Sequence, residues 1–211
     1  RTQTFAQFSW RWNDVSTYAT PGTSIVAIVG MQGRVFLSKN MGVTWTGPRP
    51  VTTKTLISIQ LVDEQFGSAV GEGGVMLRTL NQGTSWAVTG EGVTSVTLRG
   101  VQWSSRFVAY AVGDAGRMFF TQNAGDNWNR IESDCQNSRD SINDVLVLPN
   151  LNSVWTIDDA GRICKSPTLN NGHFEWQLQY EANKPLRSLS SLGVWIPRAA
   201  GAEGLLVSYV G

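Results

Sequence analysis

One eight-residue phrase, written three times, constrains this chain more than any other feature. It reads Ser38-Lys39-Asn40-Met41-Gly42-Val43-Thr44-Trp45, then Thr79-Leu80-Asn81-Gln82-Gly83-Thr84-Ser85-Trp86, then Thr121-Gln122-Asn123-Ala124-Gly125-Asp126-Asn127-Trp128. A hydroxyl residue is followed by Asn, Gly and Trp at fixed spacing. Asn bonds backbone amides two residues on and tolerates left-handed geometry. Gly supplies positive φ, the hydroxyl satisfies a backbone group that the turn leaves open, and Trp buries a large ring beside it. The phrase predicts a tight turn between two strands, with positive φ at Gly42, Gly83 and Gly125.

A second phrase precedes each copy. Ala27-Ile28-Val29-Gly30-Met31-Gln32-Gly33-Arg34, Ala69-Val70-Gly71-Glu72-Gly73-Gly74-Val75 and Ala111-Val112-Gly113-Asp114-Ala115-Gly116-Arg117 are clear copies. Trp155 to Lys165 and Gly201 to Tyr209 are weaker ones. Aligned on the second loop glycine (Gly33, Gly74, Gly116, Gly161, Gly204), the repeats step by 41, 42, 45 and 43 residues. A period in the low forties, built from short strands and glycine turns, is the signature of β-propeller blades. Four strands of ordinary length fit in each repeat.

Strand 1 of each repeat is read at Trp12–Val15, Leu56–Leu61, Leu98–Trp103, Ile142–Leu148 and Leu186–Leu192. Strand 2 is the Ala-Val-Gly run, strand 3 follows the loop glycine, and strand 4 starts near the Trp. Runs of apolar residues fit strands covered on both faces, and no window carries a helical stripe. The expected architecture is all-β: one domain over 1–211, with repeats at roughly 12–50, 55–92, 97–133, 141–180 and 186–211 plus 1–10. The fourth repeat has a stretched turn, Ser166 to Trp176, holding the one histidine, His173, which reads as a surface-loop residue. The fifth repeat stops after strand 3, and residues 1–10 fall where a strand 4 belongs. Pairing of 1–10 with Leu205–Tyr209 would close a five-bladed ring and remove an exposed sheet edge. The other reading is a portion of a six- to eight-bladed propeller.

The turn resembles the Asp-box, or BNR repeat, with Asn40, Asn81 and Asn123 where that family usually has Asp. Sialidases and sortilin-type receptors carry similar boxes. The run from Tyr110 to Gly116 into Thr121–Trp128 is most similar to the photosystem II stability and assembly factor family. That resemblance implies a non-catalytic, protein-binding scaffold that assembles or stabilises a larger complex, such as a photosynthetic one, in an extracytoplasmic or thylakoid-like lumen. The alternative is a carbohydrate-binding or vestigial sialidase-like module. The box is a folding device shared by unrelated activities, so it specifies architecture more than chemistry.

The residues argue against most catalytic readings. A sialidase needs an arginine triad and a Tyr–Glu pair. Ile196-Pro197-Arg198 has the letters of its arginine motif in the wrong order, and Tyr180 and Glu181, as strand neighbours, point to opposite faces. A hard cation selects carboxylates, and the three boxes offer only Asp126, so no metal or other cofactor is expected. A net charge of +1 gives no reason to expect nucleic acid as a partner. The expected partners are other proteins of a complex rather than a small molecule. Asn13-Asp14-Val15 recurs as Asn143-Asp144-Val145, which could point two carboxylates into a central channel; plain turn residues are the favoured reading. Cys135 and Cys164 are too few for a disulfide scaffold, and two separate reduced thiols are expected. A bridge would imply an oxidising compartment.

Arg34, Arg117 and Arg162 share one repeat position, just after the loop glycine. Rotational symmetry would set them on the end opposite the box turns. Two outcomes are open there. Glu72, Asp114 and Asp159 in the same loops would neutralise them as exposed pairs, or the three guanidiniums would form a docking patch for acidic groups.

Overall fold

Short hairpins join consecutive strands of each repeat, so the chain meanders, and every sheet is antiparallel with its strands in sequence order. The computed structural model describes residues 10–135, 139–167, 174–192 and 196–208. The first sheet is β1 (Trp12–Thr20), β2 (Thr23–Gly30), β3 (Arg34–Ser38) and β4 (Thr46–Pro50). The second is β5 (Leu56–Leu61), β6 (Gly67–Gly71), β7 (Met76–Thr79) and β8 (Ala87–Thr89). The third is β9 (Leu98–Trp103), β10 (Ala109–Gly113), β11 (Met118–Thr121) and β12 (Asn129–Ile131). The fourth is β13 (Ile142–Leu148), β14 (Ser153–Asp158), β15 (Arg162–Pro167) and β16 (Gln177–Glu181). The fifth has β17 (Leu186–Leu192), β18 (Ile196–Gly201) and β19 (Leu206–Ser208). Short 3-10 turns are the sole helical segments among the described residues.

Strand 1 coincides with the sequence reading in four repeats, while β1 runs five residues past Val15 before turning at Pro21-Gly22. The fourth strand begins directly after the Trp in each of the three clear repeats. The stretched turn with His173, and the expected pairing of residues 1–9 with the last strand, lie outside the described residues.

The first strands pack side by side in the order β1, β5, β9, β13, β17. Between consecutive sheets lies an apolar cluster built from the same four repeat positions. A cross-strand pair on the forward face of one sheet meets two strand-1 residues of the next. Val29 and Val35 meet Leu56 and Ile59, and Val70 and Met76 meet Leu98 and Val101. Val112 and Met118 meet Ile142 and Val145, and Ile157 and Ile163 meet Leu186 and Leu189. β6, β10 and β14 are buried along their whole length, as strands covered on both faces should be. Burying such residues contributes about 1.5–3 kcal/mol each.

The Ala-Val-Gly glycine has a steric cause. A β-carbon on Gly71 would stand 2.0 Å from the carbonyl oxygen of Thr55, which accepts the N–H of Glu72 at 2.9 Å. The same approach recurs at Gly113 with Thr97.

One expectation is overturned. Cys135 and Cys164 are joined by a disulfide, with their Cα atoms 6.2 Å apart. Cys135 follows β12 in the third sheet, and buried Cys164 lies in β15 of the fourth. Face-to-face packing of adjacent sheets brings together two thiols 29 residues apart, a proximity that one repeat read alone does not reveal.

Candidate functional site

The box turns form one end of the sheets. Ser38 Oγ accepts the N–H of Gly42 at 2.9 Å and donates to Asn40 Oδ1 at 3.0 Å, which accepts the N–H of Thr44 at 2.8 Å. Thr79, Asn81 and Ser85 repeat these bonds, as do Thr121, Asn123 and Asn127. Trp45 and Trp86 donate their indole N–H to the carbonyls of Gly42 and Gly83 at 3.0 and 3.1 Å. Trp128 is buried against Trp103 instead, and its Nε1 has no hydrogen-bond partner among the described residues. Gly42, Gly83 and Gly125 have φ of 81°, 73° and 84°. The residues before them, Met41, Gln82 and Ala124, are left-handed too, at 57° to 60°. Two positive φ values in a row are the mark of a type I′ hairpin turn. The varied residue types at the first position had concealed this. Consecutive turns are linked: Lys39 Nζ donates to Gln82 Oε1 at 2.9 Å, and Arg78 Nη1 to Asp126 Oδ1 at 2.6 Å.

Strand 3 runs from the arginine position to the box, so the three loop arginines start at the opposite end. Their side chains have different fates. Arg162 is enclosed by carboxylates: Nε donates to buried Asp158 Oδ2 at 2.8 Å and Nη2 to Asp140 Oδ2 at 2.5 Å. Burial raises the Asp158 carboxyl above its ordinary range, and the bonds and charge of Arg162 oppose that rise. Arg162 is thus a structural counter-ion, which removes it from the expected patch of three. Arg34 lies 4.2 Å over the Trp10 ring and donates to Gln32 Oε1 at 3.2 Å. Arg117 borders a groove with Thr94, Ser95 and Trp128. Among the described residues, no carboxylate is within ion-pair distance of Arg34 or Arg117.

The expected loop pairs do not form. Asp114 is taken by Arg99 at 2.5 Å and Asp159 by Arg187 at 2.7 Å, because these strand-1 arginines reach up into the loops from the neighbouring strand. Glu72 accepts the N–H of Thr55 at 3.1 Å, and hydrogen bonding from the Thr55 side chain, with that backbone bond second, holds its carboxyl below the usual range.

All five first strands border one polar cavity of about 360 Å³, lined by Asp14, Ser58, Arg99, Asp144, Arg187 and Ser188 among others. The carboxylates of both Asn-Asp pairs, Asp14 and Asp144, are at its wall, the less favoured of the two sequence readings. Asp14 Oδ2 accepts the N–H of Ile59 at 2.9 Å and Asp144 Oδ2 that of Leu189 at 2.7 Å, each on the next sheet. Asn13 and Asn143 donate to Leu56 and Leu186 carbonyls at 2.7 Å. The Asn-Asp pair is therefore a brace between sheets rather than the turn ending that the sequence favoured. Desolvation pushes Asp144 up to about 6, against its two backbone hydrogen bonds and with a small contribution from the Asp14 charge.

Five consecutive antiparallel sheets, stacked by their faces with first strands around a shared cavity, define the blades of a β-propeller. No protein-family model matches the chain, and no curated protein does. Solved structures do. YCF48 bound to D1 peptide is similar over 97% of this chain and 82% of its own, with TM-score 0.50 and 16% identity. YCF48 from Cyanidioschyzon merolae is similar over 99% of this chain and 98% of its own, with TM-score 0.54 and 13% identity. An ancestral GH74 enzyme superposes with TM-score 0.70 at 18% identity over 95% of this chain, which spans 30% of that enzyme. At these identities the likeness is one of fold.

Proposed function

We propose that the chain is a protein-binding scaffold of the complex-assembly kind, with its Asp-box turns as the folding device and Arg34 and Arg117 as contacts for acidic groups on a partner. The observation that carries this reading is the pair of loop guanidiniums with no carboxylate beside them, at one repeat position. Arg suits such a role because its planar fork matches a carboxylate. Support also comes from the likeness to YCF48, one of whose structures holds a D1 peptide. The Cys135–Cys164 bridge favours an oxidising compartment, in keeping with a lumenal or extracytoplasmic setting.

The test is titration of a D1 peptide, and of an acidity-matched scrambled peptide, into the wild type and into Arg34→Ala/Arg117→Ala. Charge-assisted contacts of about 1.5–3 kcal/mol each predict at least tenfold weaker binding in the variant. Equal affinity of both proteins for the peptide would remove the arginines from the reading. Carbohydrate binding is the second reading, favoured by the GH74 likeness and the polar cavity. A glycan array with Asp144→Asn as control separates the two.

A further inference from the structure

Toward the outer strands, the slot between consecutive blades is bordered by a cross-strand pair: the forward-facing residue of strand 3 and its partner on strand 4. Directly paired residues share a face of the sheet. These pairs are Val35 with Arg49, Met76 with Thr89, Met118 with Ile131 and Ile163 with Tyr180. The second and third boundaries are filled at this point. A β-carbon on Gly90 would stand 2.6 Å from Met76 Sδ and 3.2 Å from Trp128 Cδ1, and Ile131 is buried in one cluster with Met118. The first boundary is open. Val35 is smaller than either methionine, and a cavity of about 290 Å³ lies over Val35, Leu37 and half-buried Val51.

The rim of that cavity is cationic. Gly47 and Pro48 together oppose Phe36 in a β-bulge of β4, and the bulge brings Arg49 onto the face of Val35. Arg49 is exposed, and among the described residues it has no hydrogen bond and no carboxylate within ion-pair distance. Lys39 borders the same cavity, and its Nζ donates only to neutral acceptors, Gln82 Oε1 at 2.9 Å and Thr84 Oγ1 at 3.2 Å. Among the described residues, no acidic side chain lines the cavity. Two uncompensated cations over an apolar floor complement a molecule with an apolar body and one negative end.

We propose that this cavity binds a small free monocarboxylate, of the size of a medium-chain fatty acid. Its chain lies on Val35, Leu37 and Val51, and its carboxylate meets Arg49 and Lys39, the guanidinium fork matching the two oxygens. The volume of about 290 Å³ is at the small end of ligand pockets, which sets the size class. The site is independent of the docking contacts above, because Arg34, the strand neighbour of Val35, points to the opposite face of the sheet.

Calorimetric titration of octanoate into the full chain tests this, with octanol as the uncharged control. Octanoate should bind one to one with a dissociation constant on the order of 0.1–1 mM, as suits a ligand this small. Octanol should bind more weakly by about tenfold or more, and Arg49→Gln should weaken octanoate by a similar factor. Val35→Met, which installs the methionine of the next two blades, should fill the cavity and abolish binding. Circular dichroism checks the fold of both variants; Arg49 is exposed, so Arg49→Gln carries the test if Val35→Met does not fold. Arg34→Ala/Arg117→Ala should bind octanoate as the wild type does, which separates this site from the docking contacts. Absence of binding at millimolar octanoate overturns the proposal, as does equal affinity for octanol or undiminished affinity in Arg49→Gln. Tighter binding of an acetylated dipeptide ending in leucine than of octanoate overturns the assignment to a free acid.

Discussion

Asp144 and Leu189 lie 45 residues apart, yet the carboxylate of the first accepts the backbone N–H of the second at 2.7 Å, pinning two blades at the channel wall. Asp14 holds Ile59 in the same way between the first and second blades. Ser16 holds Leu61, and Gln60 holds Trp103, one turn of the pleat further along. Gln102 holds Val147 likewise. Each bond satisfies an amide of a first strand, whose channel side has no neighbouring strand within its own sheet. The inner strands are thus stitched to one another by side chains.

That brace makes stability depend on pH. The Asp144 carboxyl is raised to about 6 in the folded chain, so the folded state binds its proton more tightly than the unfolded chain does. The stabilisation is complete below the ordinary aspartate range and is lost as pH rises through 6. Relative to Asp144→Asn, the wild type should lose about 2 kcal/mol between pH 4 and pH 7. Urea unfolding at the two values measures the difference, and carbon-detected titration of the carboxyl should show a midpoint near 6. A midpoint below 4 would contradict the burial argument.

Arg162→Ala should be far more damaging than an ordinary arginine truncation. It leaves the buried Asp158 carboxylate, already raised, without its guanidinium. Breaking such a pair from one side costs about 3–5 kcal/mol. Asp158 should then take up a proton at still higher pH, so the variant should lose further stability as pH rises from 4 to 7. Adding Asp158→Asn should recover part of the loss. An Arg162→Ala protein as stable as the wild type at pH 7 would show that the pair carries no such weight.

What the sequence showed clearly was everything that repeats with the same letters. The Gly and Trp of the turn, the first-strand segments and the Ala-Val-Gly run recur because one local geometry demands them each time. What it hid are contacts between repeats. Ser16, Gln60 and Gln102 do one job with different side chains of different length, so no pattern marks them. Arg162 shares its repeat position with Arg34 and Arg117 and differs because, within its own repeat, Asp158 stands where the first three repeats have glycine and Asp140 lies beside it. The bridge between Cys135 and Cys164 crosses a blade boundary and was hidden for the same reason.

Reduction should loosen that boundary. Closing a loop across 29 residues predicts roughly 3–4 kcal/mol of stabilisation from restriction of the unfolded chain. Cys135→Ser should therefore unfold at markedly lower urea than the oxidised wild type. Reductant should bring the wild type down to the variant and leave the variant unmoved. If both proteins unfold together without reductant, the bridge is absent in solution.

The turn itself yields a contrast between its two left-handed positions, tested in two of its copies. Gly83 has φ of 73°, and a β-carbon there would stand 3.2 Å from Leu37 Cδ1 of the preceding blade. Gly83→Ala adds left-handed strain and crowding, and should cost about 1 kcal/mol or more. Met41 occupies the left-handed position just before the glycine of the first turn, with φ of 57°, and its side chain is exposed. Met41→Gly relieves roughly 1–2 kcal/mol of left-handed strain and gives back about 0.5–1 kcal/mol through the greater freedom of the unfolded chain. Its net effect should lie near zero or be slightly stabilising. Thermal unfolding of the two variants beside the wild type measures both. Equal destabilisation by the two substitutions would mean that the turn is held by its hydroxyl–Asn bonds irrespective of backbone strain.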